Sequence, residues 1–217
     1  METHDSLQIE PDAFGENHHI CAFFNGMDEH YRVLRSFVRD GFERTERAVH
    51  IVGPDEQADH LEQLAEAGVD VKGAIAAGHL EVRLWQETYL DDDRFDQDAM
   101  LARIEELLAA GEAAGYRRTR LLAHMEWALL DRPGVDDLMA YEARLNHVLQ
   151  HHDSSVVCSY DLSRFDASTV VDALRTHPLV IIGGLMQENP FYVEPDQLLL
   201  EIQEQRSSRT GAAAAAH

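Results

Sequence analysis

HHICAFF, His18 to Phe24, followed at once by NGMDEH, Asn25 to His30, is the stretch whose reading decides the fold. An apolar run of strand length that ends in Asn-Gly reads as a buried strand entering a turn. The turn can cap a helix that carries Tyr31, Leu34, Phe37 and Val38 on one side, with Gly41 as its stop. Outward from this unit the same alternation continues to about residue 202. AVHIVG (Ala48 to Gly53) is a second strand, Asp55 to Ala67 a helix, and LEVRLW (Leu80 to Trp85) a third strand. The acidic segment from Glu87 to Phe95 fits neither period and reads as an exposed loop, a lid or an insertion.

Asp96 to Ala114 carries Met100, Ile104, Leu107 and Leu108 at helical spacing, and RLLAHMEWAL (Arg120 to Leu129) reads as a fourth strand. A turn at Arg132-Pro133-Gly134 leads to a helix from Val135 to about His151. SVVCSYDL is a fifth strand, Asp166 to Thr176 a helix, and PLVIIGGL (Pro178 to Leu185) a sixth strand before a turn and a last helix. Strands nearly continuous in Val, Ile and Leu, joined by helices, require parallel pairing with helices on both faces and right-handed crossovers. The predicted fold is one three-layer α/β domain over residues 15 to 205, with a mainly parallel sheet of six or more strands. Residues 1 to 14 and 206 to 217 read as flexible flanks.

The 217 residues carry 40 acidic against 18 basic side chains, a formal charge of -22. Direct nucleic-acid binding needs clustered Lys and Arg, which this balance excludes. With Lys72 the sole lysine, the acidic excess suits a salt-rich cytoplasm, and a GC-rich genome that favours arginine codons explains part of it. No run of uncharged apolar residues is long enough to span a membrane, and METHDSLQIEPD lacks the basic start of an export signal, so a cytoplasmic location is expected. Cys21 and Cys158 lie far apart in apolar runs and are expected to be reduced thiols.

Ligands of an open parallel sheet bind outside the carboxyl ends of its strands, which brings the turn after the first strand into question. A P-loop there would need GxxxxGK[ST], and FFNGMDEH has neither the lysine nor the hydroxyl. What the strands offer instead are polar and soft groups two residues apart, which share a face. These are His19 and Cys21 on the first, His124 and Glu126 on the fourth with Met125 and Trp127 opposite, and Cys158 and Tyr160 on the fifth, followed by Asp161. If those strands are neighbours, the groups converge on one pocket that Phe24 and Asn25 also reach. Thiol, imidazole and carboxylate together suit a borderline-soft metal, with His19, Cys21, His124, Glu126 and Cys158 as the donors. The cofactor is otherwise unspecified.

Plainer roles stand beside each of these. A strand cysteine is commonly a small core hydrophobe, a strand histidine a hydrogen-bonded structural residue. Burial raises a thiol's pKa and disfavours Cys21 or Cys158 as a nucleophile. Asp91, Asp92 and Asp93 read as a solvated loop, and Glu142 with Arg144 and Asn146 as either a functional helix face or a surface ion pair. Asn189 and Tyr192, with Phe191, either wall the pocket or cap the core.

His19-x-Cys21, Met125-x-Trp127, Tyr141-Glu142, Cys158-x-Tyr160-Asp161 and His177-Pro178, in that order, make the chain resemble the MEDS domain, the methanogen/methylotroph DcmR sensory domain, over about residues 18 to 200. The resemblance implies a RecA/KaiC-like sheet without nucleotide-hydrolysis motifs that senses small molecules, hydrocarbon derivatives among them. Family members often carry an output module, for which this chain has no room. It would therefore signal by docking to a separate regulatory protein or by forming a homo-oligomer. The expectation is a sensory module and not an enzyme. The rival is a degenerate nucleotide-binding or metal-dependent enzyme at the same sheet edge, and a scaffold with an acidic face is a third reading.

Overall fold

The computed structural model describes residues 18 to 215. The expected flexible segment 1 to 14 lies outside them. Seven strands form one sheet: β1 (His18–Phe24), β2 (Arg47–Val52), β3 (Leu80–Leu84), β6 (Thr119–His124), β7 (Ser154–Asp161), β8 (Leu179–Ile182) and β9 (Leu185–Glu188). Their order is β3-β2-β6-β7-β1-β8-β9, parallel throughout except for β9, which returns antiparallel along β8. β4 (Leu90–Asp91) and β5 (Arg94–Phe95) form a separate antiparallel hairpin.

Alternation along the strands sends side chains into two cores. Ile20, Ala22 and Phe24 of β1 meet Val33, Leu34, Phe37 and Val38 of α1 (Met27–Glu43) and Leu64 of α2 (Gln57–Glu66) on one face. Cys21 and Phe23 join Met100, Ile104 and Leu108 of α5 (Gln97–Ala113) and Tyr141 and Leu145 of α6 (Leu138–Leu149) on the other. α7 (Ala167–Thr176) packs on that second face too, through Ala173. Asp96 and Asp166 cap α5 and α7 by accepting backbone amides of the first turn. The three-layer α/β architecture predicted from the sequence is therefore the observed one.

Several local expectations are corrected. The segment from Glu87 to Phe95 is not an exposed lid: α4 (Trp85–Thr88) and the β4–β5 hairpin bury Tyr89, Leu90 and Phe95 in the second core. Asp92 and Asp93, both at positive φ, supply the two-residue turn that a twisted hairpin prefers, and their charges hid it. RLLAHMEWAL is strand only to His124, after which Met125–Leu129 winds into a 3-10 helix. The two-residue alternation assumed for Glu126 and Trp127 therefore fails. PLVIIGGL is two strands, because Gly183 and Gly184 both adopt positive φ and reverse the chain. Gly41 lies inside α1 and does not end it, and its missing side chain makes room for the buried Arg120 side chain. α3 (Val71–Ala76) was not anticipated, and α8 (Pro195–Ala215) continues through residues expected to be a flexible tail. Among the described residues no helix is long and apolar enough to cross a membrane.

Candidate functional site

β6, β7 and β1 are adjacent, as the convergence of the first, fourth and fifth predicted strands required, and Cys21, Cys158 and Ala123 stand in register across them. Yet the expected constellation does not form one pocket. Cys21, Cys158 and Tyr160 belong to the core beneath α5 and α6, whereas His124 meets His30 of α1 and His60 of α2 through the opposite face. The candidates split between two polar clusters on opposite faces of the sheet.

The first is fully enclosed and centres on Glu142 of α6, a residue with no exposed surface. Its Oε2 lies 3.2 Å from His19 Nε2, 3.6 Å from His177 Nε2 and 3.7 Å from Cys158 Sγ. Cys158 Sγ is 3.8 Å from His19 Nε2, and the two imidazole rings have centroids 4.0 Å apart. The Tyr160 hydroxyl donates to Glu142 Oε1 at 3.4 Å. Asn146, one turn after Glu142, gives its amide hydrogens to the carbonyls of Glu142, Ala143 and Thr176, so its Oδ1 accepts from His19 Nδ1 at 3.1 Å. Burial pushes every charged form out of favour here. His19 is lowered to about 4 and His177 to about 3, while the Glu142 carboxyl and the Cys158 thiol are raised. One ligand atom from each of His19, Glu142, Cys158 and His177 lies within 4.8 Å of all the others, close enough to hold a metal ion together.

Glu142 was read from sequence as either part of a functional helix face or a surface ion pair, and His177 only as part of a motif; the buried position overturns the ion-pair alternative. Leu138, Leu145 and Asn146 lie at four, three and four residues from Glu142, which places it on the apolar stripe of its helix and was the available signal. Cys21, proposed as a donor, stays outside the group and directs its Sγ to the Leu179 carbonyl at 3.7 Å.

The second cluster sits at the carboxyl edge of the sheet. His124 Nδ1 is 2.9 Å from Glu56 Oε2, His50 Nδ1 is 2.8 Å from His60 Nε2, and the Tyr31 hydroxyl lies 3.2 Å from His60 Nδ1. His30 meets His124 edge to face at 4.7 Å. Burial, reinforced by the neighbouring imidazoles, holds His30, His50 and His60 neutral: His50 is lowered to about 3 and the other two well below the ordinary value. Glu126, from the 3-10 turn, has its carboxyl raised by burial. Four buried polar atoms here have no hydrogen-bond partner: both ring nitrogens of His30, His124 Nε2 and Glu126 Oε2. Glu56, His124 and Glu126 form a second group with metal-ligand spacing. His30, His50, His60 and Glu56 were missed. His60 is four residues before Leu64, so the two share the face that α2 buries.

Above this cluster, where a P-loop would hold phosphate, the β1–α1 turn is closed by this chain's own carboxylates. Asp161 accepts the Gly26 amide at 3.1 Å, and Glu29 accepts the amide of the exposed Asn25 at 2.8 Å. Two turn amides thus already face negative charge, which repels a phosphate instead of cradling it. Beside the turn, Phe24, Met27, His30, Glu126, Tyr160 and Asp161 enclose a recess of about 10 Å³. The remaining candidates are placed elsewhere. Trp127 stacks on Tyr89 at 4.5 Å within the second core. Asn189 lies at the amino end of β8, where it donates to the carbonyls of Leu174 and His177, so it clamps the entry to the strand. The amide of Tyr192 donates to the Asn189 carbonyl at 3.2 Å, which places this residue at the same end.

With this geometry in view, the family model of the MEDS domain, the methanogen/methylotroph DcmR sensory domain, matches residues 18 to 178. The chain belongs to the MEDS family. A relative is the transcriptional repressor DcmR of Methylorubrum extorquens, 26% identical over 160 residues, which cover 73% of this chain and 57% of the repressor. The chain thus spans little more than half the length of that relative. Among solved structures, a KaiC-like protein from Pyrococcus horikoshii is similar with a TM-score of 0.54 at 14% identity, covering 77% of this chain and 71% of that one. The flagellar accessory protein FlaH of Methanocaldococcus jannaschii follows with a TM-score of 0.50 at 13% identity, covering 79% and 76%. These likenesses establish a RecA/KaiC-like fold, and the family match assigns the MEDS chain to sensory domains.

Proposed function

We propose that this MEDS domain detects a small molecule at the carboxyl edge of its sheet and passes its occupancy to a separate regulatory protein. The carrying observation is the set of unpartnered buried atoms, His124 Nε2, Glu126 Oε2 and the His30 ring nitrogens, beneath a turn whose amides are already occupied. Buried polar groups left without partners cost about 1–3 kcal/mol each, so a ligand that satisfies them is held there by that deficit. The recess has room for about one water, so a ligand enters only by displacing side chains around it. A ligand that requires displacement binds two states of the domain with different affinity, which is the condition for signalling.

The relative's role as a transcriptional repressor supports an output in gene regulation. In this reading the domain acts in the cytoplasm, through a separate partner, by binding and without turnover. Small hydrocarbon derivatives are the ligand class that the resemblance to this family implies. Ligand-observed NMR with such a panel, on the full chain and on Glu126→Gln and His124→Asn, tests the reading. Binding weakened about tenfold or more in either variant supports it. Binding that neither variant disturbs, or tight binding of Mg-ATP in place of the panel, overturns it in favour of a degenerate nucleotide-binding enzyme.

A further inference from the structure

We propose that the enclosed cluster is a zinc site, with His19 Nε2, His177 Nε2, Glu142 Oε2 and Cys158 Sγ as its ligands. This goes beyond the sensory reading and does not depend on it. Zinc bonds of about 2.0–2.2 Å to nitrogen and oxygen and about 2.3 Å to one sulfur, in a tetrahedron, place donor atoms about 3.3–3.6 Å apart. Four of the six donor separations, 3.2, 3.6, 3.7 and 3.8 Å, lie within about 0.2 Å of that range, and all six are under 4.8 Å.

The tautomers agree. Ala173 carbonyl oxygen, which can only accept, lies 2.8 Å from His177 Nδ1, so that nitrogen carries the hydrogen. Asn146 Oδ1 fixes the hydrogen of His19 on Nδ1 in the same way. Both Nε2 atoms therefore present lone pairs to a single carboxylate oxygen. One proton on that oxygen could serve one of them at most, and His177 Nε2 is left without a hydrogen-bond partner in a fully buried place. A cation between the four donors satisfies them all.

The charges balance as well. On binding, Cys158 releases its thiol proton to solvent, as does Glu142 any proton it holds, and a divalent ion with a thiolate, a carboxylate and two neutral imidazoles has no net charge to bury. The outer contacts complete the pattern: Asn146 and Ala173 orient the imidazoles, and Tyr160 donates to the other carboxylate oxygen. Two imidazoles with one thiolate and one carboxylate suit zinc better than calcium or magnesium.

The test uses the full chain in two ways. Protein purified without chelator is analysed for metal, and protein unfolded in urea under reductant is refolded with one equivalent of Co²⁺ and examined by absorption. About one zinc per chain is expected, together with a thiolate-to-cobalt charge-transfer band and the intense visible bands of tetrahedral cobalt. Cys158→Ser should abolish the charge-transfer band and lower affinity by more than about 100-fold, and Asn146→Ala should lower it about 10–100-fold. Cys21→Ser, beside the site in register but outside the donor group, should keep the band. Absence of metal in purified protein together with no cobalt spectrum after refolding overturns the proposal, as does a band that survives Cys158→Ser or disappears with Cys21→Ser.

Discussion

Glu56 Oε2 accepts the Gly53 amide at 3.2 Å and lies 2.9 Å from His124 Nδ1, so one carboxylate oxygen ties together the carboxyl ends of the adjacent strands β2 and β6. Glu56 is held below the ordinary carboxylate range, chiefly by its hydrogen bond with His124. Replacement by alanine strips both partners at once and leaves His124, already unpartnered at Nε2, without any hydrogen bond of its ring. Glu56→Ala is expected to lower stability by about 1–3 kcal/mol, and Glu56→Gln by roughly half as much because its amide oxygen still accepts. Urea denaturation checks this through a lower midpoint at unchanged m-value.

The imidazoles of His30, His50 and His60 give stability a definite pH dependence. Burial lowers all three in the folded state, His50 to about 3, whereas the unfolded chain titrates near 6.5. Below 6.5 the unfolded chain binds protons that the folded chain refuses, so stability is present above that pH and is lost as pH falls toward about 3. Each imidazole contributes at most about 1.4 kcal/mol per pH unit in that window. Glu126 opposes them: its raised carboxyl takes a proton in the folded state first, which adds stability as pH falls toward 4.5. His19 and His177 are lowered likewise and Glu142 is raised, so five imidazoles outweigh two carboxyls and the net slope is acid loss. Unfolding free energies measured at several pH values between neutrality and pH 5 should show it, and His50→Asn should flatten it by about one proton's worth. A variant slope equal to that of the unmodified chain would contradict the assignment.

Gly134 tests the packing that turned the expected lid into core. Its φ is 89°, and an added Cβ would lie 2.0 Å from the Phe95 carbonyl oxygen. The same edge is held by the Phe95 amide, which donates to the Pro133 carbonyl at 2.9 Å. Gly134→Ala therefore carries both the backbone strain of positive φ and a backbone clash, about 2–5 kcal/mol together. Gly115→Ala, at φ 87° with open space around its Cβ, should show the strain alone, about 1 kcal/mol. Thermal or urea midpoints of the two variants separate the contributions.

What the sequence made legible follows from how local each signal is. β1, β2 and β7 are apolar runs, β2 and β7 with turns at both ends and β1 with one after it, and the N-caps Asp96 and Asp166 mark their helices by residues adjacent in the chain. MEWAL was misread because five residues cannot separate a strand's alternation from a 3-10 helix, and the choice is made by a tertiary contact, Trp127 on Tyr89. The enclosed cluster was half legible. His19, Cys158 and Tyr160 share strand faces, but His177 and Glu142 arrive from a strand entry and a helix that only the assembled sheet brings beside them. The carboxyl-edge cluster was hidden further, since β1–β7–β6 adjacency says nothing about which face α1 and α2 cover.

The aromatic stack offers the last test, because Trp127 carries two opposed contributions. Its ring lies nearly parallel to Tyr89 at 4.5 Å and 4.7 Å from Phe95, fully buried, while its Nε1 hydrogen has no partner. Removing the ring forfeits the apolar burial and leaves a cavity, whereas removing only the N–H relieves an unsatisfied donor. Trp127→Ala is thus expected to cost about 3–5 kcal/mol and to expose the hairpin Leu90 to Phe95 to proteolysis. Trp127→Phe, which retains a ring between Tyr89 and Phe95, should cost less than about 1.5 kcal/mol and leave the hairpin protected. Limited proteolysis beside urea denaturation distinguishes the outcomes. A hairpin cut readily in the unmodified chain would show that this segment opens as a lid after all, with Trp127 a cover and not a core residue.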